Sequence, residues 1–218
     1  MAVSNRALVT EAIMEDELGL SSGAGGAKLT RRIEAVSKQI ENLCNRRFDQ
    51  TDAIVEKQPG YGGTAIRIDR PPIVSIASIV YGDDTTLDAS DYLIQDGGAS
   101  GIIYFPYGVT WTGKLKAGVI TDTRIPGSEE WKYTVTYKGG WITPAQAVNE
   151  SKTANLPEDI VQACIDAVVS AYQWTGRDRS IKSRSIMSAR TDYETGDSGL
   201  PKSVEALLSP YIIIPVGR

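Results

Sequence analysis

Histidine is absent from all 218 residues. A chain without imidazole lacks the commonest general base, the commonest transition-metal ligand and the central member of every Ser-His or Cys-His nucleophile system. Most hydrolase chemistry is thereby excluded, and no catalytic residue, cofactor site or metal site is expected. Cysteine is nearly absent too, with only Cys44 and Cys164. They lie far apart, each on the apolar side of an expected helix, and read as buried free thiols of a reducing compartment. No apolar run is long enough to span a bilayer and no charged-then-apolar leader opens the sequence, so cytosolic synthesis and no membrane contact are expected. The Asn149-Glu150-Ser151 sequon then has no secretory route. An excess of positive charge is lacking as well: the net charge of −4 excludes a general nucleic-acid binder and leaves only local contact with DNA.

What is present is a folded composition, 41% hydrophobic and 23% charged, in a chain long enough for one large domain or two small ones. Thr10 to Leu18 reads as a short helix. Thr10 is its N-cap, Val9 and Met14 are spaced as a hydrophobic staple, and Gly19-Leu20 is a Schellman-type stop. After a flexible stretch over 21–26, a second helix from about Ala27 to Arg46 places Leu29, Ile33, Val36, Ile40 and Leu43 on one narrow stripe. Between Asp52 and Tyr137 the pattern turns to short runs of Val, Ile, Thr and Tyr separated by Gly, Pro and Asp. Strands are expected at Ala53 to Lys57, Ala65 to Asp69, Ile73 to Tyr81, Tyr92 to Gln95, Ile102 to Phe105 and Trp131 to Tyr137. Turns fall at Gly60-Tyr-Gly-Gly, Gly82-Asp-Asp and Gly97-Gly98, and the glycine-broken stretch Gly108 to Ser128 gives no clear pattern.

Helix formation returns after Pro157, with Glu158 and Asp159 complementing the positive end of the dipole. From Ile160 to Trp174 nearly every position is apolar or small, and such a helix needs cover on several sides. With only two other helices in view, neighbouring copies are the expected cover, through Ile160, Val161, Cys164, Ile165, Val168, Tyr172 and Trp174. Arg177 to Arg190 reads as an extended polar loop. It carries the one local basic cluster, Arg177, Arg179, Lys182, Arg184 and Arg190, which is either solvated or in contact with phosphate or an acidic partner. A short helix from about Pro201 to Leu208 precedes Ser209-Pro210-Tyr211-Ile212-Ile213-Ile214-Pro215, an apolar run that must be buried somewhere.

Several motifs fail as chemistry. Gly196-Asp197-Ser198-Gly199 resembles the nucleophile tetrapeptide of serine proteases, but no histidine serves it and an ordinary turn explains it. Gly23-Ala-Gly-Gly-Ala-Lys28-Leu-Thr30 is a poor phosphate loop, because Ala27 stands where glycine should precede the lysine and a helix precedes the glycines. Asp83, Asp84, Asp88 and Asp91 lack calcium-loop spacing and read as solvated turns. The aromatics Tyr104, Tyr107, Trp111, Trp131 and Trp141 are core or interface anchors before they are a sugar-binding face. A histidine-free glycosidase would need two carboxylates, for instance from Glu56, Asp69 and Asp96.

The ends of the chain resemble the tailed-phage head-to-tail connector family, also called adaptor or head-completion proteins. The opening match is Ala12-Ile-Met-Glu-Asp-Glu-Leu-Gly-Leu, a hinge, and Leu29-Thr-Arg-Arg-Ile-Glu-Ala-Val-Ser-Lys-Gln-Ile-Glu-Asn-Leu-Cys-Asn-Arg-Arg-Phe48. The closing and more specific match is Leu156-Pro-Glu-Asp-Ile-Val-Gln-Ala-Cys, Ser183-Arg-Ser-Ile-Met-Ser-Ala-Arg-Thr-Asp-Tyr-Glu and Leu200-Pro-Lys-Ser-Val-Glu-Ala-Leu-Leu-Ser-Pro-Tyr211. Together they span about half the chain. The resemblance implies an α+β fold, with a helical connector core over residues 1–50 and 155–218 and an inserted β-rich domain over 51–150. It further implies a homo-oligomeric, dodecameric ring in the virion at the head-tail interface, assembled in the host cytoplasm. That ring would dock on the portal, receive a tail, stopper or tail-terminator protein, and close the head after DNA packaging. On this reading Leu207, Leu208, Pro210, Tyr211, Ile212, Ile213 and Ile214 bind the portal, the last four residues ordering only there, while Arg177, Arg179, Lys182 and Arg184 approach packaged DNA in the channel. Another tail-completion or minor capsid subunit is the alternative.

Overall fold

A computed structural model describes residues 3–59, 65–81, 85–105, 115–116, 119–120, 132–173, 183–186, 189–192 and 199–213. In chain order the elements are α1 (Glu11–Glu17), α2 (Gly26–Cys44), β1 (Thr51–Pro59), β2 (Ala65–Arg67), β3 (Ile73–Tyr81), β4 (Thr85–Thr86), β5 (Leu93–Ile94) and β6 (Ile102–Tyr104). There follow β7 (Leu115–Lys116), β8 (Val119–Ile120), β9 (Lys132–Gly139), α3 (Pro144–Glu150), α4 (Glu158–Gln173), β10 (Ser183–Ile186), β11 (Ala189–Asp192) and α5 (Lys202–Leu208). Helices and sheets are both present, and the chain divides into two compact units, residues 1–49 with 141–218, and residues 50–140.

In the helical unit the local signals act as their chemistry dictates. The Thr10 side chain accepts the Ile13 N–H at 3.2 Å and starts α1. Val9 and Met14 are fully buried. The Gly19 and Leu20 N–H groups return to the Asp16 and Glu15 carbonyls at 3.1 and 2.8 Å, closing the expected Schellman stop. On α2 the stripe is broader than expected, because Thr30, Ser37, Glu41 and Cys44 are buried alongside Leu29, Ile33, Val36 and Ile40. Glu41 is held by Arg6, so this buried carboxylate is paired.

The largest correction concerns α4. Ile160, Ala163, Cys164 and Val168 are fully buried within a single copy, and Ile165 and Ala167 are buried too. The cover comes from the same chain: α2, α5 and α1 pack on α4, and the segment Ala7-Leu8-Val9 and Leu156 join the same core. Neighbouring copies are therefore not needed to hide this helix. The N-terminal strip and α5 supply the cover that α1 and α2 alone lack.

Two further elements differ from expectation. Thr143-Pro144 starts a helix, α3, within the stretch expected to be β-rich; the Thr143 hydroxyl accepts the Gln146 N–H at 3.1 Å and donates to the Asn5 carbonyl at 2.8 Å. The β region accordingly ends at residue 140 rather than 150. Within the stretch expected to be an extended loop, β10 and β11 pair as an antiparallel hairpin.

The β-rich unit holds a four-stranded sheet ordered β1-β9-β3-β4 and a three-stranded sheet ordered β2-β6-β5, with β7 and β8 as a separate pair. The strands lie close to their expected places, and β1 carries a bulge between Thr51 and Ile54 where Ala53 has a φ of 53°. Their inward residues, among them Ile54, Ile66, Ile68, Ile79, Ile103, Phe105, Val135 and Tyr137, form a core of their own. Gly97-Gly98 falls in a 3-10 turn, Gln95–Gly98. The turns expected at 60–63 and 82–84, and most of 108–128, lie outside the described residues.

Candidate assembly surfaces

The C-terminal segment is anchored from within. Leu200, Val204 and Leu208 are buried in the helical core, and a 3-10 turn, Ser209–Tyr211, continues from α5. The Tyr211 ring meets Trp141 edge-on at 6.5 Å, and Trp141 stacks on Phe48 at 5.9 Å. The Arg46 guanidinium lies 4.6 Å from the Trp141 ring centre and 5.3 Å from that of Phe48, a cation-π arrangement on both. The Tyr211 hydroxyl donates to Asp159 at 3.4 Å; burial, then the charge and hydrogen bond of Asp159, push its pKa up, against Arg46. The Ile213 N–H donates to the Cys44 carbonyl at 3.0 Å and so satisfies an otherwise open carbonyl at the end of α2.

This geometry sorts the residues expected at a portal contact. Leu208 is a core residue, and Leu207 and Tyr211 pack partly against that core. Tyr211 and Ile213 are held on the chain itself, which corrects the expectation that the segment from Tyr211 orders only on a partner. Pro210 and Ile212 are exposed. Ile214 lies outside the described residues.

The residues expected between subunits fare likewise. Ile160, Cys164, Ile165 and Val168 belong to the core of one copy. Val161 and Tyr172 are half-buried, with Arg32 over the Tyr172 ring at 5.9 Å, and Trp174 lies outside the described residues. Of the basic cluster, Arg177, Arg179 and Lys182 also lie outside them, while Arg184 falls on β10.

Both cysteines are buried free thiols; burial pushes Cys44 up to about 11 against the pull of Arg46, and Cys164 up to about 12 against a contact from Ser37. Such thiols are poor nucleophiles. Glu56, a carboxylate weighed for glycoside chemistry, accepts from the Tyr137 hydroxyl, from the Asp69 N–H at 2.9 Å and from Gln58 at 3.3 Å, so both of its oxygens tie strands together. Among the described residues no group of three potential metal ligands converges, and no helix is long and apolar enough to cross a membrane.

Sequence reasoning named Tyr104 as a core or interface anchor but missed the other exposed apolar side chains of the β-rich unit. Val55, Val74, Leu93, Ile94 and Tyr104 are exposed there, against Val148 and Ile212 in the helical unit, among the described residues. Leu93 sits opposite Tyr104 and Tyr104 opposite Ala65, so three strands present one exposed row, while Ile66 and Ile103 on the adjacent row point inward. The available signal was Tyr104 itself, an aromatic on a short strand; its exposure depends on which face the core takes.

No family model matches the sequence. No curated protein matches it either. Solved structures do match in fold. A chain in the structure described as the neck of a native GTA particle computed with C12 symmetry aligns at a TM-score of 0.53 and 15% identity, over 100% of this chain and 94% of that one. A chain in the neck of an empty GTA particle computed with C6 symmetry aligns at 0.55 and 15% identity, over 100% and 95%. A chain in the virion of a native gene transfer agent particle gives 0.54 and 15% identity, over 100% and 95%. At this identity the likeness establishes a shared fold, and it runs through both units of the chain.

Proposed function

We propose that this chain is a non-enzymatic structural subunit of a phage-like virion, forming a homo-oligomeric adaptor ring in the neck between the portal and the tail, stopper or tail-terminator protein. The observation that carries the reading is the alignment of the whole chain, helical and β-rich units together, with nearly whole chains of neck structures. Those necks were computed with C12 and C6 symmetry, which supports a closed ring of heterologous contacts for this chain as well. A dodecamer fits that support and the resemblance of the chain ends to connector proteins.

Each copy would arrive folded, with α4 already enclosed, and would meet its partners through surface features. Toward the portal, the exposed Pro210 and Ile212 offer apolar contact from a segment whose base is fixed by Tyr211 and Trp141. Many identical weak contacts on a symmetric template bind tightly because each neighbour raises the effective concentration of the next. Arg177, Arg179, Lys182 and Arg184 would face packaged DNA, a local contact in a chain of net negative charge.

Mixing the purified protein with its cognate portal and imaging the product by electron microscopy tests the reading. A ring of this chain stacked coaxially on the portal is expected. Absence of any complex, or attachment at the distal end of the tail, would overturn it.

A further inference from the structure

The glycine segment that fails as a phosphate loop does cradle an anion, and the anion is the chain's own. Glu15, a buried side chain of α1, accepts the Gly23 N–H at 2.9 Å on one carboxylate oxygen and the Gly25 N–H at 3.0 Å on the other. Its main-chain carbonyl accepts the Leu20 N–H at 2.8 Å. One residue thereby organises the connection from α1 to α2. Gly25 is also the N-cap of α2, so the carboxylate sits at the positive end of that helix dipole. A second carboxylate of α1, Glu11, accepts from the Thr30 hydroxyl on α2.

Residues 10–25 form a flap on the helical core. One end continues from the buried Ala7-Leu8-Val9, and the other enters α2. Its apolar grip is Met14, fully buried, with Ile13 and Leu18 packed partly against the same core. Gly19 and Gly26, with φ of 64° and 52°, flank the glycine segment, and a Cβ at either would meet nothing within 4 Å. The chain can turn at both points.

The other charged groups around the flap are exposed or engaged elsewhere. Residues 18–25 carry no ionisable side chain, and Asp16 and Glu17 on α1 are exposed. On α2 Lys28 and Arg31 are exposed, and Arg32 donates to the Ala171 carbonyl. Asp166 on α4 accepts from Gln162, and Arg6 in the N-terminal strip pairs with Glu41. The Gly23 N–H, then the Gly25 N–H, hold the Glu15 carboxyl below its ordinary 4.5, against burial.

We propose that Glu15 is the latch of this flap: its carboxylate holds the glycine segment and α1 closed on the core, and neutralising it lets residues 10–25 lift. The latch belongs to the single copy, whatever that copy assembles into. Above the ordinary carboxyl value it is closed, and it opens as pH falls through the lower folded value.

E15Q tests this, because it keeps the size of the side chain and removes its charge. Circular dichroism at neutral pH checks that the fold is retained, and hydrogen exchange is then read along the chain. Exchange over residues 10–25 is expected to quicken about tenfold or more, with α3 and α5 unchanged, because two bonds to a charged acceptor are weakened together. E17Q, which removes an exposed charge from the same helix, is expected to exchange as wild type. In wild type the Gly23 and Gly25 amide resonances should move together in an acid titration, and in E15Q they should stay still. Wild-type exchange over residues 10–25 in E15Q, equal quickening in E17Q, or wild-type glycine amides indifferent to acid would overturn the latch. Should E15Q lose its fold, the wild-type titration decides alone.

Discussion

The helical unit and the β-rich unit solve opposite problems. The helical unit carries the more hydrophobic sequence, yet encloses it: Ile160, Cys164 and Val168 on α4 have no exposed surface. The β-rich unit has a smaller core, and it leaves Val55, Val74, Leu93, Ile94 and Tyr104 outside. Hydrophobicity along the chain is therefore a poor guide to which apolar side chains stay exposed. The informative quantity is apolar surface left over after one copy has folded.

Three perturbations break or sharpen this contrast. The largest effect is expected from Ile160→Ala, which opens a cavity beneath α4 and should cost about 2–5 kcal/mol of stability. Thermal unfolding followed by circular dichroism measures it, and rings should still form well below the melting temperature. A variant with wild-type stability and no rings would move α4 from the core to an interface.

Alkaline pH comes next, and it should act first on the helical unit. Burial raises both thiols from an ordinary 9.0, to about 11 and about 12, so folding favours their protonated forms. That stabilisation is complete below pH 9.0 and is lost as pH rises through the folded values, on the order of 2 kcal/mol for each thiol by about pH 11. In the β-rich unit Tyr137 is raised from an ordinary 10.0, by burial and then by its bond to Glu56, so the corresponding loss begins one pH unit later. Urea melts across this range, with helix and strand signals followed separately, should show the helical signal weakening first. The reverse order would place the cysteines in contact with solvent.

The smallest effect is expected from Thr143→Ala, about 1 kcal/mol, because it removes the cap of α3 and the bond to the Asn5 carbonyl. Hydrogen exchange at α3 reads it, and faster exchange should be confined to the helical unit. Faster exchange in β9 as well would show that the two units do not open independently.

These contrasts mark what the sequence could and could not convey. The ends of α1 were legible because a cap, a staple and a Schellman stop act over a few residues, and the strand positions because Gly, Pro and Asp interrupt the β-prone runs. The helix α3 was missed although Thr143-Pro144 is a good start signal, because no glycine stop marks its end as Gly19 marks that of α1: the left-handed cap is Ser151. The β10-β11 hairpin was missed because its alternation is weak in a polar stretch. The cover of α4 depends on α5 and on Ala7-Leu8-Val9, distant segments whose arrival no local pattern announces. For the same reason the Leu93-Tyr104 row was out of reach: register decides which face of a strand is left outside.

A high-resolution map of the assembled particle's neck tests the central claim most directly. It should show a closed ring of this chain beside the portal, with α4 enclosed inside every copy. A particle without this chain in its neck, or a ring whose subunits interlock through Ile160, Cys164 and Val168, would contradict the account.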